Sequence, residues 1–516
     1  MNENIIIVDF GSQVTKLIAR RVRDFGVFSQ IIPFQNLTEK SFKNSLVKGL
    51  IFSGGPSSVG NENAPKIKKF VYKLNIPILG VCYGLQLICR DFGGEVKLSK
   101  EREFGKTKIK ILKNSPLLRN TYNKKTQYRV WMSHSDKVIK MPEGFEILAS
   151  STNCSSVIIQ NLKNKIFGVQ FHPEVVHTQN GDKLLKNFVI DICRCKQSWS
   201  MDKFKNKVVE SIKKEVGSER VLCALSGGVD STVTAVLVHK AIEDKLQCVF
   251  VDTGLMRKNE VEIIKNLFIK NYNIALDVVD ASKIFLNKLK GITDPEKKRK
   301  IIGKQFIEVF ERYSKNKKHI KFLAQGTLYP DIIESLSHVG DSKVTIKSHH
   351  NVGGLPKNIK FKLLEPLKEL FKDEVRKLGK ELAISKDFVN RHPFPGPGLG
   401  IRILGEISKK KIKILQEADS IFLGLIKKYG LYDKIWQAFC VLLPTKTVGV
   451  MGDGRSYEQI IVLRAVTSVD GMTAEAYKFS NHFLEICSNE IINKVKGINR
   501  VCYDLTSKPP GTIEFE

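Results

Sequence analysis

Two stretches combine a nucleophile with a base, and a third has the makings of a phosphate cradle. In Gly80-Val81-Cys82-Tyr83-Gly84-Leu85-Gln86 a thiol sits between small residues, after an apolar run and before the helix-like Leu87-Ile88-Cys89-Arg90-Asp91-Phe92. A nucleophile at such a strand-to-helix turn is exposed for attack, and the helix N-terminus both lowers the thiol pKa and offers N–H groups to a developing oxyanion. Far downstream, Phe171-His172-Pro173-Glu174 closes another apolar run. An imidazole there can take the thiol proton while a carboxylate two residues on holds the other ring N–H, so Cys82, His172 and Glu174 form the expected triad. The third stretch is Ser226-Gly227-Gly228-Val229-Asp230-Ser231-Thr232, after the strand-like Val221-Leu222-Cys223-Ala224-Leu225. Its glycines can turn amides toward a phosphate, its serines add donors, and the helix it opens attracts an anion. Asp230 makes sense beside phosphate if Mg²⁺ lies between them. The loop lacks the Gly-Lys-Ser/Thr of a Walker A motif.

These groups need strands that end where they begin. Short buried runs recur at Ile5-Ile6-Ile7-Val8-Asp9, Gly49-Leu50-Ile51-Phe52, Pro77-Ile78-Leu79-Gly80-Val81 and Ile166-Phe167-Gly168-Val169, separated by helical stretches. The alternation predicts an α/β domain with a mostly parallel sheet over 1–197. It restarts at Val221 and continues through Cys248-Val249-Phe250-Val251-Asp252, Ala275-Leu276-Asp277-Val278-Val279-Asp280 and Phe322-Leu323-Ala324-Gln325, a second α/β domain over 198–391. Near His392-Pro393-Phe394-Pro395-Gly396-Pro397-Gly398 regular structure breaks, and 392–516 reads as a smaller α+β domain. The expected fold is thus two doubly wound, mostly parallel-sheet domains and a C-terminal α+β domain.

Composition narrows the setting. A chain of 516 residues is too long for one core. No apolar stretch approaches the roughly 18 residues of a membrane helix, and the start lacks a secretory pattern, so a cytoplasmic protein without membrane attachment is expected. Ten cysteines lie scattered, often in apolar runs, as reduced core residues do; Cys193 and Cys195 lack a second pair at zinc spacing. The net charge of +31 could attract nucleic acid, but the lysines are dispersed and no RNA- or DNA-binding motif accompanies them. No dedicated nucleic-acid partner is expected.

The elbow with its following Gln86, the His-Pro-Glu turn and Ser53-Gly54-Gly55-Pro56 together resemble the class I, triad-type glutamine amidotransferases over about the first 197 residues. That resemblance implies an oxyanion hole from the amides of Gly55 and Tyr83. The 226–232 loop resembles the PP-loop of N-type ATP pyrophosphatases, which cleave ATP to AMP and pyrophosphate while adenylating a substrate oxygen. Their order in one chain resembles the glutamine-hydrolysing GMP synthetase family along nearly the whole length. Gln325-Gly326-Thr327-Leu328-Tyr329-Pro330-Asp331, Lys347-Ser348-His349-His350-Asn351, Gly452-Asp453-Gly454-Arg455 and the tail from Ser507 to Glu516 extend the match.

The family resemblance implies ligase chemistry on glutamine, Mg-ATP and xanthosine monophosphate (XMP), and a homodimer formed through the C-terminal domain. Arg500 and Lys508 suit the XMP phosphate and Glu514 its base or ribose. Asp294-Pro295-Glu296-Lys297-Lys298-Arg299-Lys300 resembles the family's mobile lid. The tail departs from the family at Gly511 and Phe515, where Ala and Trp are frequent. A glutamine-dependent NAD synthetase also carries a Ser-Gly-Gly-Val-Asp-Ser loop, but its glutaminase uses Glu, Lys and Cys. A PP-loop protein acting on tRNA is the other alternative, opposed by the complete triad.

Overall fold

The computed structural model describes residues 3–43, 46–315, 317, 319–337, 361–451, 454–468 and 473–516. The 347–351 stretch, Gly452 and Asp453 lie outside the described residues. The chain folds as two compact units, the first reaching Phe204, the second running from Lys205 to Ile332 and taking in the C-terminal segment to Glu516.

The first unit is built on nine strands: β1 (Glu3–Asp9), β2 (Phe28–Pro33), β3 (Leu46–Phe52), β4 (Ile78–Val81), β5 (Glu95–Ile111), β6 (Gln127–Lys140), β7 (Glu146–Ser151), β8 (Ile158–Asn161) and β9 (Ile166–Val169). They lie in the order β2-β1-β3-β4-β9-β8-β7-β5-β6. The first five are mutually parallel and the rest antiparallel. The parallel half was legible as continuous apolar runs because both faces are covered; every residue of β4 and β9 is buried. β4 and β9 pair with Val81 opposite Val169, so the segments that follow them emerge side by side.

Two glycines let the elbow after β4 close. A Cβ on Gly80 would stand 2.6 Å from the Gly84 carbonyl carbon, and one on Gly84 would stand 2.5 Å from the Phe52 carbonyl oxygen. Both obstacles are backbone and cannot swing away. Cys82 itself holds φ 51° and ψ −105°, a conformation that costs an L-residue about 1–3 kcal/mol.

The second unit carries an all-parallel sheet of β10 (Arg220–Leu225), β11 (Leu246–Asp252), β12 (Leu276–Asp280), β13 (Ile320–Ala324) and β14 (Lys362–Leu364), ordered β12-β11-β10-β13-β14. The chain winds outward from β10 to one side and then crosses to the other, so a crevice opens beyond the carboxyl ends of β10 and β13, where ligands collect in such sheets. A second sheet follows: β15 (Gln437–Met451) and β16 (Gly454–Thr467) form a long antiparallel pair, with β17 (Glu475–Ala476) and β18 (Ile498–Tyr503) also on β16. The helices Lys409–Lys428 and Asn481–Lys494 pack against it. The expected fold class holds: two parallel-rich α/β sheets and a smaller α+β region.

The segments expected as separate domains, 198–391 and 392–516, share one hydrophobic core. Val251, Leu255 and Phe285 pack in the same cluster as Ile403, Phe422, Leu442 and Ile491. Apolar residues on both sides of the Pro/Gly-rich stretch make this one compact unit. The stretch itself is fixed by His392, whose ring stacks on Tyr432 at 3.9 Å and accepts the Ala438 N–H at Nδ1. Burial pushes that histidine down to about 4, so the ring stays neutral.

The charged run expected as a mobile lid is instead the first turn of the helix Pro295–Lys315. Proline opens it, Asp294 Oδ1 accepts the Lys297 N–H at 2.7 Å, and Lys298 is fully buried, donating to the Ile403 carbonyl at 2.7 Å and pairing with Glu516. The run looked mobile because its charge hid one cation with buried partners.

Substituting Gly84→Ala is expected to destabilise the first unit by about 1–3 kcal/mol through overpacking against fixed backbone. Urea unfolding followed by Trp131 and Trp199 fluorescence measures it; an unchanged midpoint would mean that the elbow relaxes freely.

Candidate active sites

In the first unit three loops meet at the carboxyl ends of neighbouring parallel strands. The 53–56 loop follows β3, the elbow follows β4 and the His-Pro-Glu turn follows β9. The Cys82 N–H donates to the Val169 carbonyl at 2.8 Å, and the Gly84 N–H to the Ser53 carbonyl at 3.1 Å, tying the elbow to both neighbours. Gly54 packs against His172, its Cβ position 3.1 Å from the ring Cε1, and Gly55 lies against Tyr83. The structure thus brings Cys82, His172, Glu174, Gly55 and Tyr83 into one place. Tyr83 opens the helix Tyr83–Asp91, so its amide belongs to the helix's unpaired first turn.

His172 Nδ1 donates to Glu174 Oε1 at 2.8 Å, and the side chain of Glu174 is completely buried. Its Oε2 has no hydrogen-bond partner among the described residues, so the carboxylate charge is directed at the ring. Burial opposes a charged imidazole, but the Glu174 charge and the hydrogen bonds to Cys82 and Glu174 outweigh it and raise His172 to about 10. The ring is thus held as a cation beside the sulfur. On Cys89, two turns along the helix, burial acts alone and pushes the thiol up to about 12.

Sequence reasoning missed the other partners of the sulfur. The Cys82 thiol donates to the Ser133 carbonyl at 3.5 Å, and Gln170 Nε2 donates to Sγ at 3.8 Å. Gln170 sits beside a recognised turn and could have been found; Ser133, on a different strand, carried no signal.

In the second unit the loop after β10 turns at Gly227, with φ 76°, where a Cβ would lie 2.9 Å from Ile264 Cδ1. Ser226 Oγ accepts the Gly228 N–H at 3.3 Å and lies 3.1 Å from Ser231 Oγ, while Thr232 Oγ1 donates to the Gly228 carbonyl at 2.9 Å. The helix Val229–Ile242 starts there, so the amides of Val229, Asp230 and Ser231 face out of its first turn. Gln325, Gly326 and Thr327 follow β13 and close the crevice; the Gly326 Cβ position is 3.2 Å from Asp230.

Asp230 Oδ2 pairs with Lys372, and Arg391 donates to the Gly227 carbonyl at 3.1 Å and pairs with Glu260. Neither cation was named from the sequence. Each is one of 84 lysines and arginines, and the signal that singles it out is spatial. Asp230 Oδ1 is buried with no partner among the described residues, an oxygen set out beside a phosphate-type cradle that a hard cation fits.

The residues expected around XMP are distributed along the tail. Arg500 is exposed on β18 opposite Ile460, and Lys508 forms a backbone bridge with Ala474. Glu514, expected at the base or ribose, has both oxygens engaged. Arg402, fully buried, donates to them at 3.0 and 2.8 Å, and Gln437 adds a bond at 2.6 Å. Arg464 in turn holds the carbonyls of Thr506, Thr512 and Ile513, so the tail is an ordered strap and not a solvated end.

Three families of known proteins match successive parts of the chain. The glutamine amidotransferase class-I model matches residues 6–192, the NAD synthase model 201–303, and the GMP synthase C terminal domain model 424–515. The domain content is that of a class I glutamine amidotransferase joined to a PP-loop synthetase. The glutamine-hydrolyzing GMP synthase of Brucella melitensis biotype 2 (strain ATCC 23457) is 54% identical over 514 residues, 100% of this chain and 99% of the relative. That of Rhizobium etli (strain CIAT 652) is likewise 54% identical over the same coverage. A solved glutamine amidotransferase from Thermotoga maritima aligns with 40% of this chain and 85% of its own at 19% identity and a TM-score of 0.28. The chain belongs to the glutamine-hydrolyzing GMP synthase family.

Removing the Glu174 charge takes away the largest influence that raises His172 and so weakens the cation beside the Cys82 sulfur. Glu174→Gln is therefore expected to slow iodoacetamide alkylation of Cys82 at pH 7 by roughly tenfold, read by peptide mass spectrometry. An unchanged rate would show that the carboxylate does not set the ring's charge.

Proposed function

We propose that this chain makes GMP by ATP-dependent amination of XMP, with ammonia released from glutamine. The observation that carries the reading is the presence of two sets of groups in one chain of this family: a thiol, imidazole and carboxylate in the first unit, and in the second a glycine-turned loop with a carboxylate oxygen that has no partner among the described residues.

In the first, the Cys82 proton passes to His172 and the sulfur attacks the side-chain amide carbon of glutamine. The amides of Gly55 and Tyr83 receive the oxyanion, and His172 gives its proton to the departing ammonia. Water then hydrolyses the glutamyl thioester to glutamate, with the ring acting as base. Glu174 keeps Nδ1 protonated throughout and stabilises the charged ring.

In the second, the loop of Ser226, Gly227, Gly228, Val229, Asp230, Ser231 and Thr232 takes the β- and γ-phosphates of ATP, with Lys372 adding positive charge. Asp230 would hold Mg²⁺ through Oδ1, and the cation would neutralise phosphate charge there. The O2 oxygen of XMP displaces pyrophosphate from the α-phosphorus, giving an adenylated intermediate. Ammonia adds at C2 and AMP leaves, so GMP, AMP and pyrophosphate form together. We assign the XMP phosphate to Arg500 and Lys508, and Glu514 to anchoring the strap that carries Lys508.

The three functional segments 1–197, 198–391 and 392–516 are read within the two compact units. A homodimer through the C-terminal sheet is supported by an apolar face on β15 and β16: Val450 is 77% exposed and Tyr457 62%, with Val448 opposite Tyr457 on the same face. No helix among the described residues is long and apolar enough to cross a membrane, in keeping with a cytoplasmic enzyme.

With XMP, Mg-ATP and glutamine, wild-type protein is expected to release GMP and AMP in equal amounts. Cys82→Ala should abolish the glutamine-dependent reaction and keep the ammonium-dependent one, whereas Asp230→Ala should lower both by about a hundredfold or more. Full glutamine-dependent synthesis by Cys82→Ala would contradict the first assignment, and full activity of Asp230→Ala the second. In light scattering the protein should have twice its chain mass, and Val450→Glu should halve it; a monomeric wild type would remove the dimer from the account.

A further inference from the structure

Away from the triad, the first unit buries a second histidine–carboxylate pair. His134 on β6 and Glu103 on β5 have side chains 2% and 3% exposed, with Nε2 and Oε2 3.1 Å apart. The ring's Nδ1 lies 3.0 Å from the Asp136 carbonyl oxygen, and Glu103 Oε1 accepts from Ser151 at 2.8 Å. Burial works against the Glu103 charge, yet the bonds from His134 and Ser151 hold its pKa below the ordinary value. Stability alone does not explain such a pair, since well-packed apolar residues of the same volume stabilise a core as well or better.

Its position does. In the β5–β6 ladder Leu98 faces Asp136 and Glu103 faces His134, so four residues, 99–102, bulge opposite Ser135 alone. The pair closes that bulge at one end. Ser133, next to His134, provides the carbonyl that takes the Cys82 thiol hydrogen. A second route reaches the same sulfur. The Asp136 carbonyl that faces His134 also accepts from Gln86 Nε2 at 3.1 Å; that amide donates to Gln170 Oε1 at 3.3 Å, and Gln170 Nε2 reaches Sγ. Gln86, Gln170, His134 and Glu103 are all buried, so the chain of bonds is shielded from bulk solvent.

We propose that Glu103 and His134 are positioning residues for the glutamine reaction: the pair pins the 133–136 segment, and through the Ser133 carbonyl and the Gln86–Gln170 bonds it holds the Cys82 sulfur in line for attack. The pair acts on the sulfur through the 133–136 segment and the two glutamines. This rests on Cys82 being the nucleophile.

The test compares Glu103→Ala with Glu103→Gln in the full-length protein, following glutamate release from glutamine and, separately, ammonium-dependent GMP synthesis. Alanine leaves the ring unheld; glutamine keeps the length and can bond both the ring in its other tautomer and Ser151. Glu103→Ala is expected to lower kcat for glutamine roughly tenfold to a hundredfold with KM changed less than about twofold, as a thiol displaced by a fraction of an ångström requires. Ammonium-dependent synthesis should be unchanged, and Glu103→Gln should restore kcat to within about threefold of wild type.

Wild-type kcat in Glu103→Ala, or equal losses in the two variants, would overturn the proposal. Should Glu103→Ala unfold the first unit at the assay temperature, Ser151→Ala, which frees one carboxylate oxygen, takes its place. A fall in its kcat of about threefold or more supports the proposal, and wild-type turnover overturns it. Loss of glutamine turnover in Cys82→Ala beside a normal Glu103→Ala would sink the positioning role and leave the nucleophile standing.

Discussion

The first active site depends on a backbone conformation that Cys82 would not adopt by itself. At φ 51° the residue leaves the strand and starts a helix in the space of one peptide. That turn closes only because two neighbours have no side chain, one against the elbow's own backbone and one against β3. From this constraint the rest follows. The sulfur emerges above the carboxyl ends of parallel strands, where the β4–β9 register delivers His172 beside it, and the amides of the helix's first turn point where an oxyanion would form. Burial then concentrates the charge of Glu174 on a single ring nitrogen, since water does not compete for it.

The second site uses the same geometry for a different charge problem. A strand ends at a glycine with positive φ, a helix begins, and its unpaired amides form a cradle at the point where the strand order reverses. What distinguishes it is the balance of fixed charge. Asp230 gives one oxygen to Lys372 and leaves the other without a partner among the described residues, so the site presents a cation and a cation-binding group side by side. A nucleoside triphosphate, anionic and accompanied by a divalent metal, matches both. The C-terminal strap shows the opposite use of charge: Arg402, Arg464 and Lys298 are buried to hold polypeptide in place.

Features encoded by neighbours in sequence were legible before any coordinates. The Gly-x-Cys-x-Gly elbow, the His-Pro-Glu turn and the Ser-Gly-Gly-Val-Asp-Ser loop each act through residues a few positions apart, and the parallel strands before them read as apolar runs because both faces are covered. Features set by long-range contact were not. Lys372 meets Asp230 across 142 residues, and no local pattern separates it from the other cations. Glu514 looked like a ligand for a sugar or base because Arg402 and Gln437 are distant in sequence. The antiparallel half of the first sheet, with its bulge at 99–102, follows from a register that alternation cannot fix. The shared core of 198–391 and 392–516 was hidden by the Pro/Gly-rich stretch, which breaks secondary structure without breaking packing.

The central claim is that nitrogen freed at Cys82 becomes the amino group of GMP. Glutamine labelled with ¹⁵N at the side-chain amide, supplied with XMP and Mg-ATP at limiting free ammonium, tests it directly by mass spectrometry of the product. The account predicts GMP carrying one ¹⁵N and an equal amount of AMP. GMP without label, or AMP formed in excess with no labelled GMP, would contradict it.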